Sequence, residues 1–462
     1  MKKIFNFIAA AFSLVVLYFL FTIFRSGFLP SNYYFILAFL VLIICTFIVI
    51  GITYFKNKKV KVFSTFLALL VSVVMVVGLR YSSNTLNFLR NMTGLEFETT
   101  KYYGLALKDS NHNEIDGLNV LLHNNMADEM SLLKDELNEK NTTISETNIL
   151  GDIDTKLFNN EYDAVVVEKN FRDILNESNN LFEEETIVIF EFEVRNRVVR
   201  EDTDVDVTND PFSIYISGID THGSISNRAR SDVNIVMTIN PKTKEILLIS
   251  IPRDYYVRIP GTTGYKDKLT HTGIYGVDVS KNTVSQLLET DIEFYLRVNF
   301  SSTVRLVDAL GGINVDSNYA FSAKGYSFNR GNNFMDGEKA LVFVRQRNNL
   351  PGGDRARGEN QQAVIEGLIN KMTQRDVITR YNSILNSMDG MFDTNMSSDD
   401  IVSLIRMQIS DNANWSIEQY NLDGSDSSDF TYSNPSSRAY VMEPDMETVN
   451  EAIRLIRQVK ED

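Results

Sequence analysis

Arginine and aspartate recur at the ends of apolar runs in the C-terminal half of this 462-residue chain: Asp220, Arg230, Asp232, Arg253, Asp254, Arg345, Arg347, Asp354 and Arg357, with Gln361 close behind. Arg345 and Arg347 stand two apart beside Leu341, Val342, Phe343 and Val344, so a strand there would point both the same way. Asp354, Arg357 and Gln361 fall at i, i+3 and i+7, one face of a helix whose apolar face is Val364, Ile365, Leu368 and Met372. Arginine presents a planar fork that matches phosphate oxygens two at a time and keeps its charge. Carboxylates such as Asp220 and Asp232 are hard oxygen donors suited to Mg²⁺. Together these groups are what a pyrophosphate requires. A structural salt bridge explains any single pair more economically, but several such elements in one stretch point to an anion site. The residues alone lead to a phosphate-ester binding site, with turnover left open.

Other chemistries lack their motifs. There is no Walker A loop, no dinucleotide-binding glycine fingerprint, no His-Glu-x-x-His, no Gly-x-Ser-x-Gly elbow and no cysteine cluster. The four histidines, His112, His123, His222 and His271, are too scattered for a zinc site.

The elements that must position these residues are legible in outline. Phe212–Ile219 reads as a buried strand ending at Asp220. Val233–Ile239, the turn Asn240–Lys244 and Glu245–Ile251 read as a β-hairpin ended by Pro252-Arg253-Asp254. Further on come a helix Ser301–Leu310, a Gly311-Gly312 stop, a strand near Ile313–Val315, a strand over 341–347 and a helix Asp354–Met372. Strands mixed with helices predict an α/β or α+β layered domain. Upstream, strands Tyr102–Leu107, Asp163–Val167 and Thr186–Val194 alternate with helices Ala127–Leu137 and Phe171–Asn176, a small α/β accessory unit without a catalytic constellation. The acidic, aperiodic Glu201–Asp210 is the linker between the two. Past Arg375, amphipathic helices are expected at Tyr381–Phe392, Ser398–Ile409 and Met446–Val459, the last packing back on the domain, with a polar loop Ser425–Arg438.

Charge is divided unevenly. The first 95 residues hold nine basic and no acidic side chains; the rest hold 36 Lys and Arg (45 less 9) against 60 Asp and Glu, a net of −24 in a chain of −15 overall. The basic part contains three apolar runs, Ile4–Phe24, Tyr33–Phe55 and Val62–Leu79, each about the 20 residues that cross ~30 Å of hydrocarbon. Lys2 and Lys3, with Lys56, Lys58, Lys59 and Lys61, belong to the cytoplasmic side, which puts the N-terminus inside and everything after about residue 81 outside. The lone Cys45 lies in the second run, so the exterior carries no thiol. An acidic exterior repels phosphate backbones, so no nucleic-acid partner is expected.

At these residues the chain resembles the LytR-CpsA-Psr family. The matching stretches are SGID (217–220), RSDVNIVMTINP (230–241), SIPRDYYVRIPG (250–261), KLTHTGIYG (268–276), VDALGGINV (307–315) and FVRQRNNLPGGDRARGENQQ (343–362). Three spans and an accessory unit ahead of the domain resemble the family's capsule-type branch. The resemblance implies an extracytoplasmic catalytic domain of α/β (α+β layered) type with a mixed central sheet flanked by helices, at residues 211–462, after three transmembrane helices (1–82), an accessory domain (91–200) and a linker (201–210). The activity it implies is transfer of capsular polysaccharide or a related glycopolymer from a polyprenyl-pyrophosphate carrier to peptidoglycan, beside the capsule synthesis machinery of the membrane. Carried over by motif, Asp220 and Asp232 would hold Mg²⁺, with Mn²⁺ as a substitute, and Arg253, Arg345, Arg347 and Arg357 would grip the pyrophosphate. Arg230, Lys268 and Gln361 would support them, and Asp254 or Asp354 would orient or deprotonate the acceptor. Two departures stand out: Arg355 adds a second arginine beside Arg357, and Asn360 replaces an arginine common in relatives. His271 is expected to be structural rather than a proton shuttle. The alternative function, from another class, is a membrane-anchored protein that binds polyprenyl-linked glycans and regulates capsule synthesis without turnover.

Overall fold

The computed structural model describes residues 2–27, 29–93, 97–124, 130–179, 181–197, 203–219, 225, 228–347, 350–374, 377 and 392–461. It begins with three long apolar helices, α1 (Lys2–Ser26), α2 (Ser31–Thr53) and α3 (Lys58–Thr93), each long and apolar enough to cross a membrane.

Next comes a five-stranded sheet of order β3-β2-β4-β1-β5. Its elements are β1 (Phe97–Leu107), β2 (Asn119–His123), α4 (Met130–Glu139), β3 (Thr143–Thr147), α5 (Leu150–Phe158), β4 (Ala164–Glu168), α6 (Lys169–Ser178), the short α7 (Leu181–Glu185) and β5 (Thr186–Arg197). Alternation along β1 and β4 sends Leu105, Leu107, Val165 and Val167 to the face covered by α5 and α6, and Tyr102, Ala106, Ala164 and Val166 to the face covered by α4. Strands β2 and β3 and helix α5 go beyond the sequence expectation.

Residues 206–210 form a turn, and Val207 is buried in the core that follows, so this stretch is fastened down. The second sheet has six strands in the order β16-β11-β6-β7-β8-β17. Its centre is β6 (Phe212–Ile219), β7 (Ser231–Asn240) and β8 (Glu245–Ser250), antiparallel neighbours as expected. Then follow the short pair β9 (Tyr256–Val257) and β10 (Asp267–Lys268), α8 (Leu269–Thr272), α9 (Val277–Leu287), β11 (Phe294–Asn299) parallel to β6, and α10 (Phe300–Ala309). A peripheral set is β12 (Ile313–Ser317), β13 (Phe321–Ala323), β14 (Tyr326–Phe328), β15 (Gly331–Met335), α11 (Gly337–Arg345) and α12 (Asp354–Met372). The chain ends with β16 (Phe392–Thr394), α13 (Ser398–Asp411), β17 (Ser416–Asn421), the hairpin β18 (Gly424–Phe430) and β19 (Arg438–Pro444), and α14 (Met446–Glu461). Both faces of this mixed sheet are covered, which explains why β6 is buried along its length. Tyr215 faces α9 and α14, while Ile214 and Ile216 face α12 and α13.

Two expectations are corrected. Residues 341–345 continue a helix rather than form a strand: Asp336 caps α11 by accepting from the Lys339 N–H, and Ala340, Phe343 and Val344 are buried at helical spacing. A short apolar run does not distinguish the two states, and the upstream cap decides it. In the polar stretch 425–438, residues 425–430 and Arg438 belong to the strand pair β18–β19, exposed enough to tolerate serines, while 431–437 form the expected loop. The helix expected at Tyr381–Phe392 lies outside the described residues, apart from Phe392, which opens β16.

The parts are joined by buried charge. Glu98 on β1 pairs with Arg297 on β11 and accepts from Arg228 Nε at 3.0 Å, and Arg297 also lies 3.5 Å from Asp393. Ile274 and Tyr275 pack into the core beneath α6. At the other end, Arg406 of α13 donates to the carbonyl of Gly27, between α1 and α2, at 2.7 Å, and Thr93 meets Ser398 at 3.0 Å. Replacing Glu98 by Ala removes one of the two carboxylates of the buried Arg297 and the partner of Arg228, so it is expected to destabilise the chain by about 3 kcal/mol. Replacing Glu193, in an exposed pair with Lys101, is expected to cost under about 1 kcal/mol. Thermal denaturation of the two variants side by side measures the difference; equal shifts would discount the network.

Candidate functional site

The site is built where β6 and β7 begin to part. Gly218 pairs with Val233, but Ile219 pairs with Ser231, leaving Asp232 as an extra residue in a bulge. Bulges re-aim side chains in this way. A Cβ on Gly218 would stand 2.6 Å from the Val233 Cβ, so the register demands glycine there. Behind the bulge, Tyr215 donates to Asn234 Oδ1 at 2.5 Å, and Ser217 and Ser231 hydroxyls lie 2.7 Å apart. Burial pushes the Tyr215 phenol up to about 12, so it stays a donor.

Asp232 Oδ1 accepts from Arg253 Nη1 at 3.0 Å and from Thr270 Oγ1 at 3.1 Å. Arg253 Nε lies 3.5 Å from Asp254 Oδ2, and Lys268 Nζ lies 3.6 Å from Asp254 Oδ1. Charge therefore alternates along Asp232, Arg253, Asp254 and Lys268. The opposite wall comes from α11 and α12. Arg345 ends α11, where the helix dipole favours a cation, with its guanidinium 4.8 Å from the centre of the Phe300 ring. Gln346 is extended, which carries Arg347 out of the helix. Asn360 donates to the Phe343 carbonyl at 3.1 Å, so the residue that departs from the family pattern caps α11. Gly358 lets α12 pass β8 closely, since a Cβ there would meet Ser250 Oγ at 2.5 Å.

These walls enclose a cavity of about 430 Å³. Its polar lining is Asp232, Arg253, Lys324, Arg345, Gln346, Arg347, Arg357 and Gln361; Phe300, Leu341, Val342 and Val344 supply an apolar side. Asp232, Arg253, Arg345, Arg347, Arg357 and Gln361 thus meet as the sequence suggested, although Arg345 and Arg347 do so from a helix end. Asp254 and Lys268 stand just behind Arg253. Arg230 does not line the cavity: it pairs with Glu177 of α6. Asp220 lies outside the described residues, as does the side chain of Asp354, the first residue of α12. Arg355 turns away to Asp423, 2.7 Å off, so Arg357 is the arginine of that turn that faces the cavity. His271 is buried, with Nδ1 2.8 Å from Asp267 and 2.9 Å from Ser433, apart from the cavity. Lys324 and Phe300 were not legible in the sequence. A lone lysine in the β13–β14 turn carries no motif, and Phe300 reads as an ordinary helix residue.

Among the described residues no three metal-ligating side chains cluster. The donor chemistry nevertheless fits a hard cation. Both hydrogen bonds to Asp232 end on Oδ1, leaving Oδ2 as a hard oxygen donor.

The LytR_cpsA_psr family model matches residues 184–452, more than half of the chain. A polyisoprenyl-teichoic acid–peptidoglycan teichoic acid transferase, TagU, of Bacillus licheniformis is 38% identical over 208 residues, covering 45% of this chain and 67% of that protein. TagU of Enterococcus faecalis is 40% identical over 195 residues, covering 42% and 64%. The chain therefore spans about two thirds of the length of these relatives. The crystal structure of Bacillus subtilis TagU shares 31% identity over 55% of this chain and 98% of its own, with a TM-score of 0.43.

The bulge can be tested directly. Gly218→Ala is expected to weaken binding of inorganic pyrophosphate at least tenfold by displacing Asp232 and Arg253, and adding Val233→Gly to recover part of it, because the closest clash is with the Val233 Cβ, which only glycine lacks. Titration calorimetry on the full chain measures both; loss without recovery would mean that the close contact is not what sets the site.

Proposed function

Because the chain belongs to the LytR-CpsA-Psr family, we propose that it is a phosphotransferase that moves a glycopolymer from a polyprenyl-pyrophosphate carrier to peptidoglycan, forming a phosphodiester. The observation that carries this reading is a single cavity combining five cationic side chains, a carboxylate and an apolar wall. Arg345, Arg347 and Arg357 hold the pyrophosphate oxygens from one side and Arg253 from the other. Leu341, Val342 and Val344 receive the first part of the carrier's hydrocarbon chain. A sugar hydroxyl of the wall attacks the phosphorus that bears the glycan, the phosphoanhydride bond breaks, and polyprenyl phosphate leaves. Asp254 or Asp354 takes up the hydroxyl proton, and the arginines stabilise the charge that develops on the phosphoryl oxygens. Asp220 and Asp232 would hold Mg²⁺ or Mn²⁺, which would supply further neutralisation of the pyrophosphate.

Capsular polysaccharide is the cargo this reading favours, on the three spans and accessory unit, with the capsule synthesis machinery as the neighbouring partner. The N-terminus lies in the cytoplasm and the cavity outside. Supporting this, the lysines cluster at the bundle end away from Gly27, and Gly27 touches the sheet-bearing part of the chain.

Full-length protein in lipid nanodiscs is expected to release polyprenyl monophosphate from a polyprenyl pyrophosphate only with a divalent cation. Asp232→Ala and Arg253→Ala are each expected to lower kcat by about 10²–10³. Tight binding without release, even with wall fragments added, would overturn the transferase reading in favour of a carrier-binding protein.

A further inference from the structure

The accessory unit grips the segment that leads into β7. The Arg228 N–H donates to the Thr99 carbonyl at 3.4 Å, Asn170 Nδ2 donates to the Arg228 carbonyl at 3.1 Å, and Arg228 Nε donates to Glu98 at 3.0 Å. Two residues further, Arg230 is held by Glu177, and two beyond that is Asp232 in the cavity wall. These contacts differ in kind. Glu98 is nearly buried and holds the backbone region in place, whereas Glu177 is half-exposed at 50% and engages only the end of one side chain.

Glu177 lies among cations. Burial works against its charge, but Arg230, with Lys268 and His271 adding to it, outweighs burial and holds the carboxyl below its ordinary range. Asp173, one turn earlier on the same helix face, also lies within the field of Arg230. Accordingly α6 presents a carboxylate to the cation that the family motif assigns to the substrate, and that cation is absent from the cavity lining. A carboxylate and a phosphate compete for a guanidinium by the same bidentate geometry.

We propose that Glu177 is an internal competitor for Arg230, so that the accessory unit sets the affinity of the site for its pyrophosphate substrate: Arg230 rests on α6 when the cavity is empty and transfers to the substrate's phosphate when it is filled. Glu177 is a positioning residue, since it acts through Arg230 and touches no reacting atom. The buried Glu98 contacts keep the segment fixed while the Arg230 side chain changes partner. The inference rests on the proposed carrier function, because it takes the pyrophosphate to be the incoming anion.

The test is steady-state release of polyprenyl monophosphate from geranylgeranyl pyrophosphate by the full-length chain in nanodiscs. A half-exposed pair contributes only about 0.2–1 kcal/mol, so Glu177→Gln is expected to lower KM roughly two- to fivefold with kcat unchanged. Glu177→Asp, which keeps the charge, is expected to stay near the parent. In an Arg230→Ala background the Glu177→Gln effect is expected to vanish, as a double-mutant cycle requires for two residues that act through one contact. An unchanged or raised KM in Glu177→Gln, or an effect that persists without Arg230, would overturn the competitor role while leaving the transferase intact. Absence of release by the parent chain would instead overturn the carrier function itself.

Discussion

The ion pair between Asp232 and Arg253 is the contact on which the cavity depends, and it is a consequence of strand register. The last ladder pair of the β7–β8 hairpin is Ile235 with Ser250, and the two charged residues each lie three positions beyond it. Register is set at the other end, where Asn240 Oδ1 accepts from the N–H groups of Lys242 and Thr243 and Lys244 takes a positive φ of 61°. A slip by one residue would turn one strand's side chains to the opposite face of the sheet, and Asp232 and Arg253 would no longer meet. The turn therefore fixes a site about a strand's length away.

Guanidinium groups gathered in one recess repel one another, so a rigid frame must hold them. Four devices share that work here. Asp232 and Asp254 interleave with Arg253 and Lys268; Arg345 lies over the Phe300 ring at a helix C-terminus; Asn360 ties the α11 end to α12; and Gln362 bridges the carbonyls of Leu248 and Tyr420 at 2.8 Å each, tying α12 to the sheet. The chain after residue 95 carries a net charge of −24, and this contrast would focus an anionic ligand on the basic recess.

The sequence made the central hairpin, the buried β6 and helix α12 legible, because each carries a strong period or a turn of defined chemistry. It also showed which arginines belong together, since their motifs sit at element ends. What escaped it was decided by tertiary context. The run 341–345 has no period of its own, and its helical state follows from the Asp336 cap and from packing of Phe343. Lys324 reaches the cavity only because a small hairpin folds over α10 and α11. Arg230 looks like its neighbours in the motif, and nothing local reveals that α6, some fifty residues earlier, supplies its partner. Contacts of that range leave no local trace in a single sequence.

The strength of the contacts between the two sheet-bearing parts is graded in a way that bears on function. Arg297 is 3% exposed and shared between Glu98 and Asp393, so separating the parts would break the nearly buried Glu98 pairs with Arg297 and Arg228, a cost of several kcal/mol. The Arg230–Glu177 contact lies at the rim, screened by water and salt. Ile274 and Tyr275 add apolar area to the strong contacts, with the Tyr275 ring 6.1 Å from that of Phe171. The accessory sheet is thus held as part of the frame, while Arg230, the side chain that the proposed exchange would release to an incoming anion, is held at an exposed rim. A joint strong throughout would lock Arg230 away from the cavity. A joint weak throughout would let the β7 entry drift and lose the Asp232–Arg253 geometry. The division seen here, a buried backbone anchor and a rim-exposed side-chain contact, is what the proposed exchange requires.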